Sequence, residues 1–159
     1  MLYSTDYISP IGKILMVSDG EAICGVWFYG QKHFLSSIDD EIIRKDDLAI
    51  FNKVKRWFDD YFDGLNPKID FELKPSGSDF RLKVWKMLCG IPYGKTMTYG
   101  EIASGLSGSM SPQAVGGAVG HNPIAILIPC HRVLGANGKL TGYAGGIDKK
   151  MALLELERI

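Results

Sequence analysis

The sequence lacks long apolar runs, a recognisable signal peptide and paired cysteines. None of its apolar stretches approaches the roughly 20 residues that a helix needs to cross a membrane. The N-terminus has no basic region followed by an apolar core, so no signal peptide is predicted. The three cysteines are too widely spaced for a CxxC pair or a zinc motif. We therefore expect a cytoplasmic protein without disulfide bonds, a bound metal or membrane contact.

The net charge is zero, but the charges are distributed unevenly. Residues 1–79 carry nine basic and fourteen acidic side chains, whereas residues 80–159 carry nine basic and four acidic ones. A basic second half is typical of contact with a polyanion such as nucleic acid. Attraction between an acidic half and a basic half of the same molecule explains the distribution equally well.

The first half of the chain favours a small sheet followed by one helix. Short apolar segments separated by turn residues predict three strands, at Met1–Ser9, Ile14–Ser18 and Ala22–Phe28. Residues 31–46 are polar and predict a surface loop or a short helix. Apolar side chains at steps of three and four predict a helix from Leu48 to Phe62, and residues 65–79 resemble a linker.

The second half is predicted to be mostly helical. An apolar stripe predicts a helix over Phe80–Cys89. Thr98 and Glu101 have the spacing of a capping box that begins a second helix. Ser111 followed by Pro112 is typical of the start of a third.

The third of these helices is rich in glycine. Its sequence Gln113–Gly120 contains three glycines, each costing about 1 kcal/mol relative to alanine in a helix. A close approach to another surface would explain that cost. Two short helices in succession resemble a helix-turn-helix whose second helix faces DNA. Tight packing within the protein is an equally valid explanation at this point.

Cys130 and His131 follow the apolar run Ile124–Ile128, which predicts a buried strand. A cysteine beside a histidine and Arg132 is a plausible nucleophile, because neighbouring bases and cations favour the thiolate. A structural cysteine packed at a strand end would give the same local pattern.

The remaining residues predict a glycine-rich loop and a final helix. Residues Thr141–Gly146 form the loop, whose glycines permit a backbone to approach a ligand. Asp148 is the predicted cap of a helix over Lys149–Ile159. Glu157 near its end, taken alone, resembles a solvated terminal residue.

From about Phe80 to Glu157 the chain strongly resembles the O6-alkylguanine-DNA alkyltransferases, the methylated-DNA–protein-cysteine methyltransferase family. The matching segments are Val84-Trp85, Ile91-Pro92-Tyr93-Gly94, Thr98-Tyr99, Ala114-Val115-Gly116, Asn122-Pro123, Ile128-Pro129-Cys130-His131-Arg132-Val133 and Gly142-Tyr143. The resemblance implies an α+β protein with two domains. A small ribonuclease-H-like α/β domain would span residues 1–76, and a mostly helical domain with a helix-turn-helix would span residues 77–159.

The resemblance also implies a single-use DNA repair reaction. The protein would flip an O6-alkylated guanine out of the duplex and transfer the alkyl group irreversibly to Cys130. His131 would draw off the thiol proton through a water molecule, and Glu157 would orient His131.

Further roles carried over from the family concern the substrate base and the DNA. Tyr99 would help to rotate the nucleotide, and Asn122 would connect the recognition helix to the active-site segment. The implied base pocket comprises Tyr99, Val133, Tyr143 and Ala144. The implied DNA contacts are Ser111, Gln113, Ala114, Gly116 and Arg132.

One position departs from the family pattern. Gln113 stands where the family commonly has an arginine that fills the space left by the flipped base, so weaker DNA binding or slower flipping is expected. The expected partner is double-stranded DNA containing O6-alkylguanine, with a monomeric protein and no cofactor. The alternative is a non-enzymatic relative that binds lesions, but such relatives lack the cysteine.

Overall fold

The computed structural model describes residues 1–36, 38–106 and 110–158. Its contacts divide the chain into two compact units. The first unit comprises Met1–Ser76 with Pro123–Ala125, and the second comprises Gly77–Asn122 with Ile126–Ile159. The result is the predicted α+β architecture, with a sheet in the first unit and mainly helices in the second. Among the described residues, none of the helices has the length and apolar content that a membrane span requires.

The first unit contains a four-stranded sheet in the order β3-β2-β1-β4. Its strands are β1 (Leu2–Ser9), β2 (Gly12–Ser18), β3 (Ile23–Phe28) and β4 (Ile42–Arg44). The first three form antiparallel pairs, and β4 runs parallel to β1. Residues 31–46 were expected to contain no strand. That prediction was wrong for β4, because three residues carry little periodicity and their pairing with β1 is set by distant sequence.

Helix α1 (Ala49–Phe62) packs against β1 and β2. The apolar stripe that predicted this helix is its buried side, as the burial of Phe51, Val54 and Phe58 shows. On β2, Leu15 and Val17 belong to a core cluster with Leu2 and Trp27, and the intervening residues on the opposite face are buried as well. The sheet is therefore covered on both faces.

Within its described residues, the second unit has four α-helices, two single turns of 3-10 helix and a short parallel pair of strands. The helices are α2 (Asp79–Cys89), α3 (Tyr99–Gly105), α4 (Pro112–Gly120) and α5 (Ile147–Glu157). Strands β5 (Met97–Thr98) and β6 (Val133–Leu134) pair with Met97 beside Val133. Helix α4 packs against α2 and α3, and Trp85 on α2 donates a hydrogen bond to the Ala118 carbonyl at 2.8 Å.

The predicted helix starts of α3 and α4 are confirmed. Thr98 Oγ1 accepts from the Glu101 amide at 3.1 Å, and Glu101 Oε1 accepts from the Thr98 amide at 3.0 Å. Ser111 Oγ accepts from the Ala114 amide at 3.1 Å, with Pro112 as the first helical residue. The connection between the two helices includes residues 107–109, which lie outside the described residues, so the helix-turn-helix stays a prediction.

Two local predictions in the second half of the chain were wrong. Helix α5 is preceded by Gly146 without a side-chain cap, and Asp148 lies inside the first turn, where its charge suits the helix dipole. The run Ile124–Ile128 is buried but is not a strand. Ile124 forms one isolated bridge to Val26, and Ile126 then adopts a left-handed φ of 69°, which ends any extended pairing. A short apolar run indicates burial more reliably than it indicates a strand.

Candidate active site around Cys130

Cys130 lies on a tight turn in the second unit. After Pro129, residues Cys130–Arg132 form a single turn of 3-10 helix that leads into β6. The chain therefore bends where the sequence had predicted a strand end. Because the segment is not extended, the alternation that would direct Cys130 and His131 to opposite faces does not apply.

The Cys130 thiol is buried among groups that favour its ionised form. Burial raises the pKa of the Cys130 thiol, while a hydrogen bond with Asn122, the positive charge of Lys150 and a hydrogen bond with Tyr143 act to lower it. The Asn122 side chain also donates to the Ile128 carbonyl at 2.8 Å, which fixes the amide next to the thiol. The structure thus places Asn122 and Tyr143 with Cys130.

His131 forms a buried pair with Glu157. Nε2 of His131 lies 2.6 Å from Oε2 of Glu157, and both side chains are almost completely buried. Burial lowers the pKa of His131, although the hydrogen bond and the charge of Glu157 oppose that shift. A neutral imidazole that meets a carboxylate through Nε2 must carry its proton there, because an ionised carboxylate only accepts. Nδ1 is then the acceptor, and it is buried without a hydrogen-bond partner among the described residues.

Arg132 forms a paired contact with Glu157. Its Nε and Nη2 donate to the two oxygens of Glu157 at 2.7 and 3.1 Å, and Nη1 donates to the Ile91 carbonyl at 2.7 Å. This paired geometry is the strong form of an arginine–carboxylate contact. The guanidinium is directed at Glu157 and the Ile91 carbonyl, and the predicted contact of Arg132 with DNA stays a prediction.

The turn after α2 completes the environment of Glu157. Gly94 has a φ of +75°, and its amide lies 3.4 Å from Glu157 Oε1. A Cβ atom at this position would lie 3.0 Å from the Glu157 carbonyl oxygen. Glycine therefore meets two requirements here, the left-handed backbone and the close approach. Glu157, which alone resembled a solvated end residue, is the shared partner of His131 and Arg132.

The other residues predicted to line the base pocket also belong to the second unit. Pairing of β5 with β6 places buried Val133 beside Met97, two residues before Tyr99, which is the first residue of α3. Tyr143 and Ala144 are half-buried in the glycine-rich loop, and Tyr143 reaches Cys130. The Tyr99 hydroxyl lies 2.9 Å from Thr141 Oγ1 at the beginning of that loop.

Lys150, for which the sequence had predicted no role, is only 1% exposed. Its Nζ lies 3.5 Å from the Thr141 carbonyl oxygen, a weak contact for a buried ammonium group. Burial lowers the pKa of the Lys150 amine, and its interaction with Cys130 raises it. A helical pattern could have indicated this position, because Lys150, Leu153 and Glu157 follow steps of three and four along the buried side of α5.

Helix α4 presents a small-sided exposed face. Ser111, Gln113, Ala114 and Gly117 are all exposed, whereas Val115, Ala118 and Val119 are buried. A Cβ atom on Gly116 would lie at an ordinary 3.9 Å from the Tyr99 ring, and one on Gly117 would meet none of the described atoms within 4 Å. Packing among the described residues therefore does not require glycine at either position.

Across residues 1–36, 38–106 and 110–158, no three His, Cys, Asp or Glu side chains lie together in an arrangement that could hold a metal ion.

Two family models together match nearly the whole chain. The model described as "6-O-methylguanine DNA methyltransferase, ribonuclease-like domain" matches residues 1–75. The model described as "6-O-methylguanine DNA methyltransferase, DNA binding domain" matches residues 79–159.

Individual relatives agree with these matches. The methylated-DNA–protein-cysteine methyltransferase of Haemophilus influenzae is 42% identical over 99% of this chain and 87% of its own length. Its counterpart in Methanosarcina acetivorans is 44% identical over 98% of both chains. The crystal structure of Mycobacterium tuberculosis OGT in complex with DNA superposes with a TM-score of 0.87 at 41% identity, over 99% of this chain and 92% of that one. The chain belongs to the methylated-DNA–protein-cysteine methyltransferase family and has that family's enzyme activity, in DNA repair by alkyl transfer.

Proposed function

We propose that this protein repairs O6-alkylguanine, mainly O6-methylguanine, by flipping the base out of the duplex and transferring its alkyl group to Cys130. The observation that carries this proposal is the environment of the thiol. Burial holds the pKa of the Cys130 thiol above its ordinary value. Asn122, Lys150 and Tyr143 oppose that rise, so they stabilise the thiolate that forms once a base takes the proton. A purely structural buried cysteine needs none of these groups.

The reaction requires a base for the thiol proton and an acceptor for the methyl group. His131 Nδ1 takes the Cys130 proton, through a water molecule, while Glu157 stabilises the imidazolium that forms. The thiolate sulfur attacks the methyl carbon, so an S–C bond forms as the C–O6 bond breaks. The guanine keeps the electrons of the broken C–O6 bond and takes up a proton from water, while His131 releases the thiol proton to water. This leaves guanine in the DNA and S-methylcysteine in the protein.

The reaction is single-turnover because the thioether product has no leaving group that the site can activate.

We assign Arg132 to the active site as a positioning residue. Its contact with both oxygens of Glu157 fixes the carboxylate that holds His131. The DNA contact that the family resemblance implies for Arg132 stays a prediction beside this role.

The proposed base pocket is formed by Tyr99, Val133, Tyr143 and Ala144. Backbone groups near Val133 and Ala144 recognise the flipped base, Tyr143 forms a wall of the pocket, and Tyr99 donates a hydrogen bond to the base. Flipping costs a few kcal/mol of stacking and pairing, and less for a damaged pair. The lesion is thus selected partly by how easily it leaves the helix.

The proposed DNA surface is the exposed face of α4, as the second helix of a helix-turn-helix. Ser111, Gln113, Ala114 and Gly116 contact the DNA, and Gln113 occupies the space that the base leaves. The glycine content supports this assignment, because a Cβ at Gly117 would meet open space among the described residues. Most of the binding energy comes from the phosphate backbone, so affinity falls with salt and depends little on sequence.

Three free cysteines in different environments, two of them at least partly exposed, suit a reducing compartment, and we propose that the protein acts as a monomer in the cytoplasm.

The stoichiometry of repair tests the proposed function. Protein is incubated with an excess of duplex containing O6-methylguanine, and the repaired guanines are counted. One repaired guanine per molecule is expected, with none for Cys130→Ser. Repeated turnover, or repair by Cys130→Ser, would overturn the proposal.

A further inference from the structure

Thr141 is the residue through which the glycine-rich loop meets its neighbours in the second unit. Its Oγ1 lies 2.9 Å from the Tyr99 hydroxyl, and its carbonyl oxygen lies 3.5 Å from Lys150 Nζ. Its methyl group lies against Gly135, where a Cβ atom would approach Thr141 Cγ2 to 2.7 Å. These contacts use the hydroxyl, the backbone and the methyl group separately.

Either hydroxyl of the Tyr99–Thr141 pair can be the hydrogen-bond donor, but Thr141 must be the donor once Tyr99 donates to a base. A phenol has one proton to donate and can accept as well, and so can the threonine hydroxyl. If the Tyr99 hydroxyl donates a hydrogen bond to the flipped base, its oxygen remains free to accept a hydrogen bond from Thr141. That second hydrogen bond polarises the phenol and makes it a stronger donor.

We propose that Thr141 is a positioning residue that orients the Tyr99 hydroxyl toward the substrate base. This inference rests on the proposed function, in which Tyr99 contacts the flipped base. Thr141 acts through Tyr99 and does not itself touch the base.

The methyl contact with Gly135 restricts the rotation of Thr141 and thereby holds its hydroxyl toward Tyr99. Gly135 is buried, and its amide donates to the Lys139 carbonyl at 2.8 Å. Residues 135–139 therefore form a hydrogen-bonded turn two residues before Thr141. The absence of a side chain at Gly135 is what leaves room for Thr141 Cγ2. The position of the hydroxyl therefore depends on the fold of the loop and does not require the substrate to be present.

Two substitutions separate the hydroxyl from the methyl group. Thr141→Val removes the hydroxyl and retains the methyl contact with Gly135, whereas Thr141→Ser retains the hydroxyl alone. We expect Thr141→Val to slow single-turnover methyl transfer by about three- to tenfold, the usual effect of one hydrogen bond. The dissociation constant for DNA should remain within about twofold. Thr141→Ser should retain most of the wild-type rate.

A double-mutant cycle with Tyr99→Phe distinguishes orientation of Tyr99 from support of the fold. Without the phenol there is no hydroxyl to orient, so Thr141→Val should cause no further loss in the Tyr99→Phe background. An equal loss in both backgrounds would overturn the inference, because it would show that Thr141 acts independently of Tyr99. So would a Thr141→Ser variant as slow as Thr141→Val.

The same experiment separates this inference from the function on which it depends. If the wild-type protein transfers no methyl group to Cys130, the proposed function fails and the inference fails with it. If all four proteins of the cycle transfer methyl groups with independent effects, only the inference fails. Thermal unfolding of each variant is measured alongside, and a Thr141→Val protein that is slow only because it is unfolded would lose DNA affinity as well as rate.

Discussion

The carboxylate of Glu157 accepts from His131 Nε2 at 2.6 Å while it also accepts two hydrogen bonds from Arg132. One buried carboxylate at the last turn of α5 thus determines the tautomer of the imidazole. That tautomer presents Nδ1 as the acceptor for a proton.

Replacing this carboxylate by an amide should impair both catalysis and stability. In Glu157→Gln the amide cannot stabilise an imidazolium, and we expect the rate of methyl transfer to fall at least about tenfold. Arg132 loses its charge partner, so the free energy of unfolding should fall by about 3 kcal/mol. Single-turnover kinetics and urea denaturation measure the two effects. Glu155→Gln, an exposed change on the same helix, is the control and should alter neither.

Lys150→Met should separate reactivity from stability. Removal of the ammonium takes away a positive charge that lowers the pKa of Cys130, so its alkylation by iodoacetamide at neutral pH should slow by about three- to tenfold. Folding should be unaffected or favoured, because exchanging a poorly compensated buried ion for an apolar side chain is often neutral or stabilising. The rate is measured against pH, and its midpoint should move upward. Lys149→Met makes the same change of charge at the adjacent position. A loss of stability without a change in the pH profile would assign Lys150 a structural role only.

Gly117→Ala should make the helix more stable and the DNA complex weaker. Alanine at this open position should raise the free energy of unfolding by about 0.5–1 kcal/mol. The added methyl group would hold the DNA away from α4, and a loss of about 1 kcal/mol in binding corresponds to about a fivefold higher dissociation constant. Fluorescence anisotropy with a lesion duplex measures the binding. Unchanged affinity in the stabilised protein would show that the α4 face does not approach the DNA closely.

Gln113→Arg should strengthen binding by restoring a positive charge and a planar stacking group. We expect about a three- to tenfold lower dissociation constant at low salt. The slope of log affinity against log salt concentration should become steeper by about one, the effect of one added phosphate contact. The repair rate should rise with it. Asn52→Arg on α1 adds the same charge at an exposed position outside the α4 face and serves as the control. Equal gains from both substitutions would indicate a general effect of charge, and no gain from Gln113→Arg would refute the prediction.

Local signals in the sequence were enough to predict the helices and the starts of α3 and α4. The Thr98–Glu101 capping box, the Ser111-Pro112 start and the aromatic stripe of α1 each depend on residues that are close in the chain, and each is present in the structure. Strand β4 could not be found in this way, because its three residues are ordered by pairing with β1.

The residues of the site could be predicted because the sequence resembles a known family. The contacts between residues distant in the chain could not be predicted. The pairing of Arg132 with Glu157 joins residues 25 positions apart, and nothing near Arg132 in the sequence indicates it. By contrast, Lys149 and Lys150 are indistinguishable by type, but the phase of the buried positions along α5, a local pattern, could have indicated that Lys150 is the buried one.

The central claim is that Cys130 itself receives the alkyl group. It is tested most directly by incubating the protein with O6-methylguanine duplex DNA, digesting it and weighing the peptides that contain Cys24, Cys89 and Cys130. The account predicts a gain of one methyl group on the Cys130 peptide, at no more than one per molecule, with the other two unchanged. DNA binding with no gain in mass on the Cys130 peptide, or a methyl group on Cys24 or Cys89 instead, would contradict it.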